Sequence, residues 1–259
     1  PRPTRLGAVS FLNTRPLTYG LDEDARFDLV YDVPSACAED LTAGRIDVGL
    51  IPSIEGLRIA GVSIVPGTCV AATREARSVL LLSRGPIDSV RRIAIDRNSR
   101  TSVALTRILL AEVWKIEPEL VVQAASPHGV AEGFDAALLI GDPALRVDRS
   151  PFEVVDLAAA WRSLTGLPFV FAVWAAREGL GVQDLGPLFD RSLREGRLAL
   201  DVMVEQASSE LDLEPSRVRS YLTENLRFDF GAEEAAGLEE FYRRARDRGM
   251  VDSPSEEVA

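Results

Sequence analysis

The run Ser35-Ala36-Cys37-Ala38-Glu39-Asp40-Leu41-Thr42-Ala43-Gly44-Arg45-Ile46-Asp47-Val48-Gly49-Leu50-Ile51 decides the fold. Residues 35–43 read as a helix closed by Gly44, and residues 46–51 follow at once as a strand. The apolar residues 6–9 upstream read as another strand, so the order is strand, helix, strand, the unit of an α/β sheet. Outward from there the pattern recurs. Residues 79–82 and 93–95 read as strands, a helix runs from about Thr101 to Trp114 with Leu105, Ile108 and Leu109 on one face, and residues 136–140 read as a strand. Residues 169–174 are wholly apolar with β-branched and aromatic members, the mark of a buried strand. From Asp184 onward the chain reads as mainly helical, with Leu238, Phe241, Tyr242 and Ala245 at helical spacing.

No Gly/Ser linker, repeat or low-complexity segment divides the chain, apart from a polar, acidic end at residues 252–257. Two interwoven α/β lobes are therefore expected. The first is discontinuous, residues 1–82 and 174–259, and the second, residues 83–173, is inserted; the crossings fall at residues 83–86 and 171–174. Two crossings make a hinge.

The 259 residues suffice for a substantial core, and 46% hydrophobic with 27% charged residues suits a globular chain. A formal net charge of -11 argues against nucleic acid and anionic membrane surfaces, which need a concentrated basic face. It leaves a small anionic substrate open, since distant surface charge is screened within about 8 Å. Cys37, in a helix, and Cys69, in a loop after a strand, have no metal-ligand spacing around them and fit a reduced compartment. The apolar residues 6–9 meet Ser10 and Asn13 too soon for a signal peptide. The longest apolar run, residues 170–176, is far short of the roughly 20 residues that span a bilayer. A cytoplasmic protein without a membrane segment is expected.

Among candidate site residues, Asp96-Arg97-Asn98-Ser99-Arg100-Thr101-Ser102 forms a hydroxyl-rich turn between a strand and a helix. Free N–H groups at a helix start, with Thr101 or Ser102 hydroxyls and Arg100, suit a carboxylate. Equally, Ser99 or Thr101 simply caps the helix and Arg100 is solvated. Gly141-Asp142-Pro143 ends a strand with Pro at the first helical position and Asp142 as cap, and its backbone can line a cleft at the strand ends. Ser10-Phe11-Leu12-Asn13-Thr14 follows the first strand and offers polar groups beside an apolar one, a pattern also common in plain turns. Ser78 opens a strand without the His and acidic partners of a nucleophile, so a hydrogen-bonding role is expected. His128 lies in the turn-like Ser126-Pro127-His128-Gly129 and is expected on the surface. No metal-ligand cluster or Gly-rich phosphate loop is evident, so no cofactor is expected.

With these segments in hand, the chain resembles the chorismate dehydratases of the futalosine route to menaquinone, on the two-lobed type II periplasmic-binding-protein fold with a cleft at the hinge. The resemblance runs through Val9-Ser10-Phe11-Leu12-Asn13-Thr14 with Pro16-Leu17, Ser99-Arg100-Thr101-Ser102, Leu138-Leu139-Ile140-Gly141-Asp142, and Thr165-Gly166-Leu167-Pro168-Phe169-Val170-Phe171-Ala172-Val173-Trp174. It implies that Asn13 and Ser78 contact the reacting part of chorismate. It also implies that Arg100, Thr101 and Ser102, with Ser99, Gly141 and Asp142 beside them, bind the substrate and its carboxylate. The rival expectations are 1,4-dihydroxy-6-naphthoate synthase, which acts on a larger compound of the same pathway, and a non-catalytic small-anion-binding protein of the same fold.

Overall fold

The computed structural model describes residues 2–123, 126 and 128–251. In chain order the elements of the first half are β1 (Thr4–Val9), a 3-10 turn (Leu12–Thr14), α1 (Arg15–Thr18), β2 (Phe27–Asp32), α2 (Pro34–Thr42), β3 (Val48–Pro52), α3 (Glu55–Arg58), β4 (Val62–Ala72), β5 (Val79–Ser83), β6 (Arg92–Ile95) and α4 (Arg100–Leu109). A π-helical turn (Leu110–Trp114) follows, then β7 (Glu119–Val122), β8 (Ala136–Ile140), α5 (Gly141–Arg146), β9 (Glu153–Asp156), α6 (Leu157–Thr165) and β10 (Phe169–Arg177). The chain closes with α7 (Val182–Leu198), α8 (Leu200–Leu211), α9 (Pro215–Ser220), a second π-helical turn (Tyr221–Asn225), β11 (Arg227–Phe230) and α10 (Ala232–Asp247).

The run that decided the fold on reading forms α2 and β3. Pro34 starts the helix with its fixed φ, and Gly44, at φ +68, ends it in the left-handed region that a side chain resists. The chain then enters a six-stranded sheet ordered β11-β4-β10-β3-β1-β2, in which β1 runs parallel to β2 and β3 while β10 lies antiparallel between β3 and β4. A five-stranded sheet ordered β7-β6-β8-β5-β9 repeats the scheme, with β6 parallel to β7 and β8 and β5 antiparallel to β8 and β9.

Because β5 pairs within the five-stranded sheet and β10 within the six-stranded one, the strands change sheets at residues 73–78 and again at residues 166–168. The expected divisions at 82/83 and 173/174 therefore run through β5 and β10. The reason is that a turn signal after Ser83 marks where a strand ends, not which sheet it belongs to. Cys69, expected in a loop, lies inside β4 and is buried, as is Cys37 in α2. The helix expected from Thr101 to Trp114 is α4, whose last turn widens into the π-helical one.

β10 explains its own unbroken apolar sequence. Phe169, Val173 and Ala175 pack into a core shared with α4, α6 and α10, while Trp174 and Ala176 pack on the opposite face with residues of α7 and α8. A strand covered on both faces has no solvent side to encode. In the first core Trp161 and Phe241 meet Phe169 edge to face at ring separations of 5.3 and 4.9 Å, and in the second Trp174 stacks on Phe189 at 4.3 Å. No helix among the described residues is long and apolar enough to cross a membrane.

Candidate active site

A cleft partly open to solvent lies where the two sheets meet. Its floor comes from the ends of β1 and β3, from Ser78 and Val79 at the start of β5, from Ile140 and Gly141 after β8, and from Phe171 and Ala172 of β10. Val9, Phe11, Leu50, Ile51, Val70 and Leu226 make the walls largely apolar. Seven of the eight residues singled out from sequence line it together: Asn13, Ser78, Ser99, Arg100, Thr101, Ser102 and Gly141.

The start of α4 forms one end. Ser99 is the residue before the helix, yet its side chain makes no cap hydrogen bond, and its hydroxyl oxygen is buried without a partner. The backbone N–H groups of Arg100, Thr101 and Ser102 likewise meet no acceptor among the described residues. The Thr101 hydroxyl accepts from the Ile54 N–H at 3.2 Å and so ties α4 to the segment after β3. Simple capping by Ser99 or Thr101 is thus not what these residues do. Three free N–H groups, an unpartnered hydroxyl and the positive end of a ten-residue helix make a site for an anionic oxygen.

The Arg100 guanidinium is neither solvated nor free. It bonds Glu55 at 3.2 Å and Glu39 at 2.6 Å, so only its backbone is available for an anion at the helix start. Glu55, 2% exposed, also pairs with Arg58 at 3.2 Å. Sequence reasoning missed this because the two glutamates sit on α2 and α3, distant in the chain.

At the other end, Ser78 is nearly fully buried, and both its polar groups are held. Its carbonyl accepts from the Gly141 N–H at 2.8 Å, and its hydroxyl accepts from the Tyr221 hydroxyl at 2.8 Å. The crossover before it is fixed by Asp156, whose carboxylate accepts from Ala76 and Arg77 N–H groups at 3.1 and 2.7 Å and from two N–H groups of α6. Burial raises the Asp156 carboxyl above its ordinary value, partly offset by these bonds. Asn13 stands in the 3-10 turn opposite, and its side-chain carbonyl oxygen is buried without a partner.

Asp142 does not line the cleft and does not cap α5, which begins at Gly141 with Ile140 before it. Its carboxylate instead accepts the Leu12 N–H at 3.0 Å, clamping the turn that carries Asn13 to the end of β8. Burial pushes this carboxyl up. Gly141, at φ +63, could not be replaced cheaply, for a Cβ there would stand 2.8 Å from the Phe11 ring.

Tyr221 and the apolar Leu226 were not singled out as site residues from sequence, and Asn98 and Phe171 were named only within longer runs. Tyr221 carried no signal at all, lying in a helical tail where an aromatic reads as core. His128 is exposed, as expected, in a turn whose Pro127 lies outside the described residues. Among the described residues no group of three His, Cys, Asp or Glu side chains is placed to hold a metal ion.

Among known proteins, the chorismate dehydratase of Thermus thermophilus is 29% identical over 259 residues, covering 93% of this chain and 94% of its own. That of Campylobacter jejuni is 27% identical, with 93% and 96% covered. Of solved structures, a protein from Archaeoglobus fulgidus superposes with a TM-score of 0.74 at 17% identity, over 96% of this chain and 99% of its own. The periplasmic aliphatic sulphonate binding protein of Escherichia coli superposes at 0.66, also 17% identical, over 97% and 89%. These two likenesses establish the fold, that of the periplasmic binding proteins with a ligand cleft between two α/β halves. The family model described as menaquinone biosynthesis matches residues 4–247, and with every described helix and strand inside that match, the chain belongs to this family.

Proposed function

We propose that the chain is a carbon–oxygen lyase of the cytoplasm that dehydrates chorismate to 3-[(1-carboxyvinyl)oxy]benzoate and water, the first step of the futalosine route. The names of the two curated relatives support the substrate. The observation that carries the chemistry is what lines the cleft: amides, hydroxyls and a helix start, with no His, Lys, Asp or Glu side chain among the described lining residues. Such a site positions and stabilises charge rather than supplying a protein base.

The reaction removes the ring hydroxyl and the proton on the adjacent ring carbon, and aromatisation drives it. That proton is vinylogous to the ring carboxylate, so negative charge developing on its removal spreads to the carboxylate. Held by the N–H groups at the start of α4 and by Ser99 and Ser102, the carboxylate gains most as that charge grows. Asn13 and Ser78 then face the reacting end, and the enolpyruvyl carboxylate of the substrate takes the proton. Asn13 belongs to the half built on the six-stranded sheet, and Ser78 with the start of α4 to the half built on the five-stranded one, so substrate touching both halves closes them on the cleft.

Incubating the purified protein with chorismate alone, and following the aromatic product by absorbance and mass, tests this. Formation of the carboxyvinyloxybenzoate without added metal or nucleotide is the expected result. Tight binding of chorismate without turnover would make the chain a binding protein, and dependence of turnover on an added divalent metal would overturn the proposed chemistry.

A further inference from the structure

Tyr221 is not part of the cleft lining, yet it controls what the lining offers. It sits in the π-helical turn between α9 and β11, 2% exposed, and its hydroxyl proton goes to the Ser78 oxygen. Asn13 stands in the turn opposite, its side-chain oxygen buried without a partner. A serine hydroxyl carries one proton. With its oxygen accepting from Tyr221 and no protein acceptor near it among the described residues, the Ser78 proton is left for the cleft. Asn13 presents a bare carbonyl acceptor to the same cleft.

We propose that Tyr221 is a positioning residue that makes a donor of Ser78, which together with the unpartnered Asn13 carbonyl selects a neutral hydroxyl group on the substrate. A hydroxyl satisfies both at once, giving its proton to a hydrogen bond with Asn13 while its oxygen accepts from Ser78. A carboxylate would satisfy Ser78 but face the Asn13 oxygen with like charge. The inference rests on the proposed dehydration, in which this hydroxyl is the one that departs. Its C–O bond breaks as the neighbouring ring C–H bond gives up its proton, and hydroxyl and proton leave as water. Ser78 contributes a hydrogen bond to the leaving oxygen and keeps its own proton.

Replacing Tyr221 with Phe removes the one hydroxyl and keeps the ring in its core. Relative to wild type, kcat for chorismate should fall on the order of 10-fold or more, less than loss of a direct donor, with KM little changed and the circular dichroism melt preserved. Acting through Ser78, the change should add nothing in a Ser78→Ala background. Crystal structures of unliganded wild type and Tyr221→Phe supply a readout free of any substrate. A single Ser78 rotamer in wild type that becomes split or rotated in the variant is expected. Wild-type kcat in Tyr221→Phe, additive losses in the double variant, or an unmoved Ser78 rotamer would each overturn the proposal. Should wild type itself leave chorismate unchanged, the substrate reading fails, and the rotamer comparison alone decides the role of Tyr221.

Discussion

Ser78 and Asn13 reach the cleft on short pieces of backbone tethered independently of their side chains. The Ser78 carbonyl is held by Gly141, while the turn around Asn13 is held by the Leu12 N–H to Asp142 and by the Thr14 hydroxyl, which donates to the Val9 and Phe11 carbonyls. Truncating either side chain therefore leaves its segment in place. Ser78→Ala and Asn13→Ala should each lower kcat about 10²–10³-fold, the range for one preorganised polar group; Asn13→Ala should melt near wild type, while Ser78→Ala should lose about 1–3 kcal/mol of stability for the buried Tyr221 hydroxyl left without its acceptor. Steady-state kinetics beside thermal melts check this, and near-normal rates in both would show that the reacting end lies elsewhere.

At the scale of elements, two devices hold the six-stranded sheet and its cover. Asp47, just before β3, accepts from the Arg5 backbone and guanidinium at 2.7 to 3.1 Å and from Arg2 at 2.8 Å, locking the start of β1 to the start of β3. The Arg5 bonds foremost, then Arg2, hold the Asp47 carboxyl well below its ordinary value. A carboxyl lowered in the folded state stabilises the fold above its unfolded pKa of about 4, and that contribution is lost as pH falls toward the folded value. Asp47→Asn should thus cost about 1–2 kcal/mol at neutral pH, with the gap to wild type closing in acid; urea melts from pH 7 to pH 3 measure it. α10 is the second device: Phe241, fully buried, meets both Trp161 of α6 and Phe169 of β10. Phe241→Ala should destabilise by about 3–5 kcal/mol, the range for emptying an aromatic site in a close-packed core, read from the same melts.

Across the whole molecule, polar bonds bridge the two halves at both ends of the cleft: Leu12 to Asp142 and Tyr221 to Ser78 at one, and a cluster around α4 at the other. Arg100 reaches Glu39 and Glu55, the Ile54 N–H donates to Thr101, and the Ser35 hydroxyl donates to Asn98 at 2.7 Å. With Arg100 serving as a strut rather than a ligand, Arg100→Ala should act on the balance between open and closed forms. Its radius of gyration by small-angle scattering should exceed that of wild type without substrate and converge with it when chorismate or product is bound. Because Arg58 still pairs with Glu55, the stability loss should stay below the roughly 3–5 kcal/mol of a buried charge left alone. Equal scattering of the two unliganded proteins would show that the halves do not open about this contact.

What the sequence determined by itself was the central framework, and it did so through local physics. Gly44 stops α2, and the apolar runs of β3, β5, β8 and β10 announce strands, that of β10 a strand buried on both faces, as the burial of most of its residues bears out. The strands it did not announce include β2, β7, β9 and β11, the four sheet edges, whose exposed and polar residues blur the pattern because one side of an edge meets solvent. The turns after β1, β6 and β8 were legible as candidate site segments because hydroxyl, amide and glycine residues at strand ends have few other uses. Only the tertiary structure could decide what those residues touch. It turned Arg100 onto two glutamates, set Asp142 against Leu12 rather than at a helix cap, and brought Tyr221 across 143 positions to Ser78. Partners so distant in sequence leave no trace in spacing or periodicity, since their meeting depends on how two sheets and a helical tail pack, and packing is a property of the assembled chain.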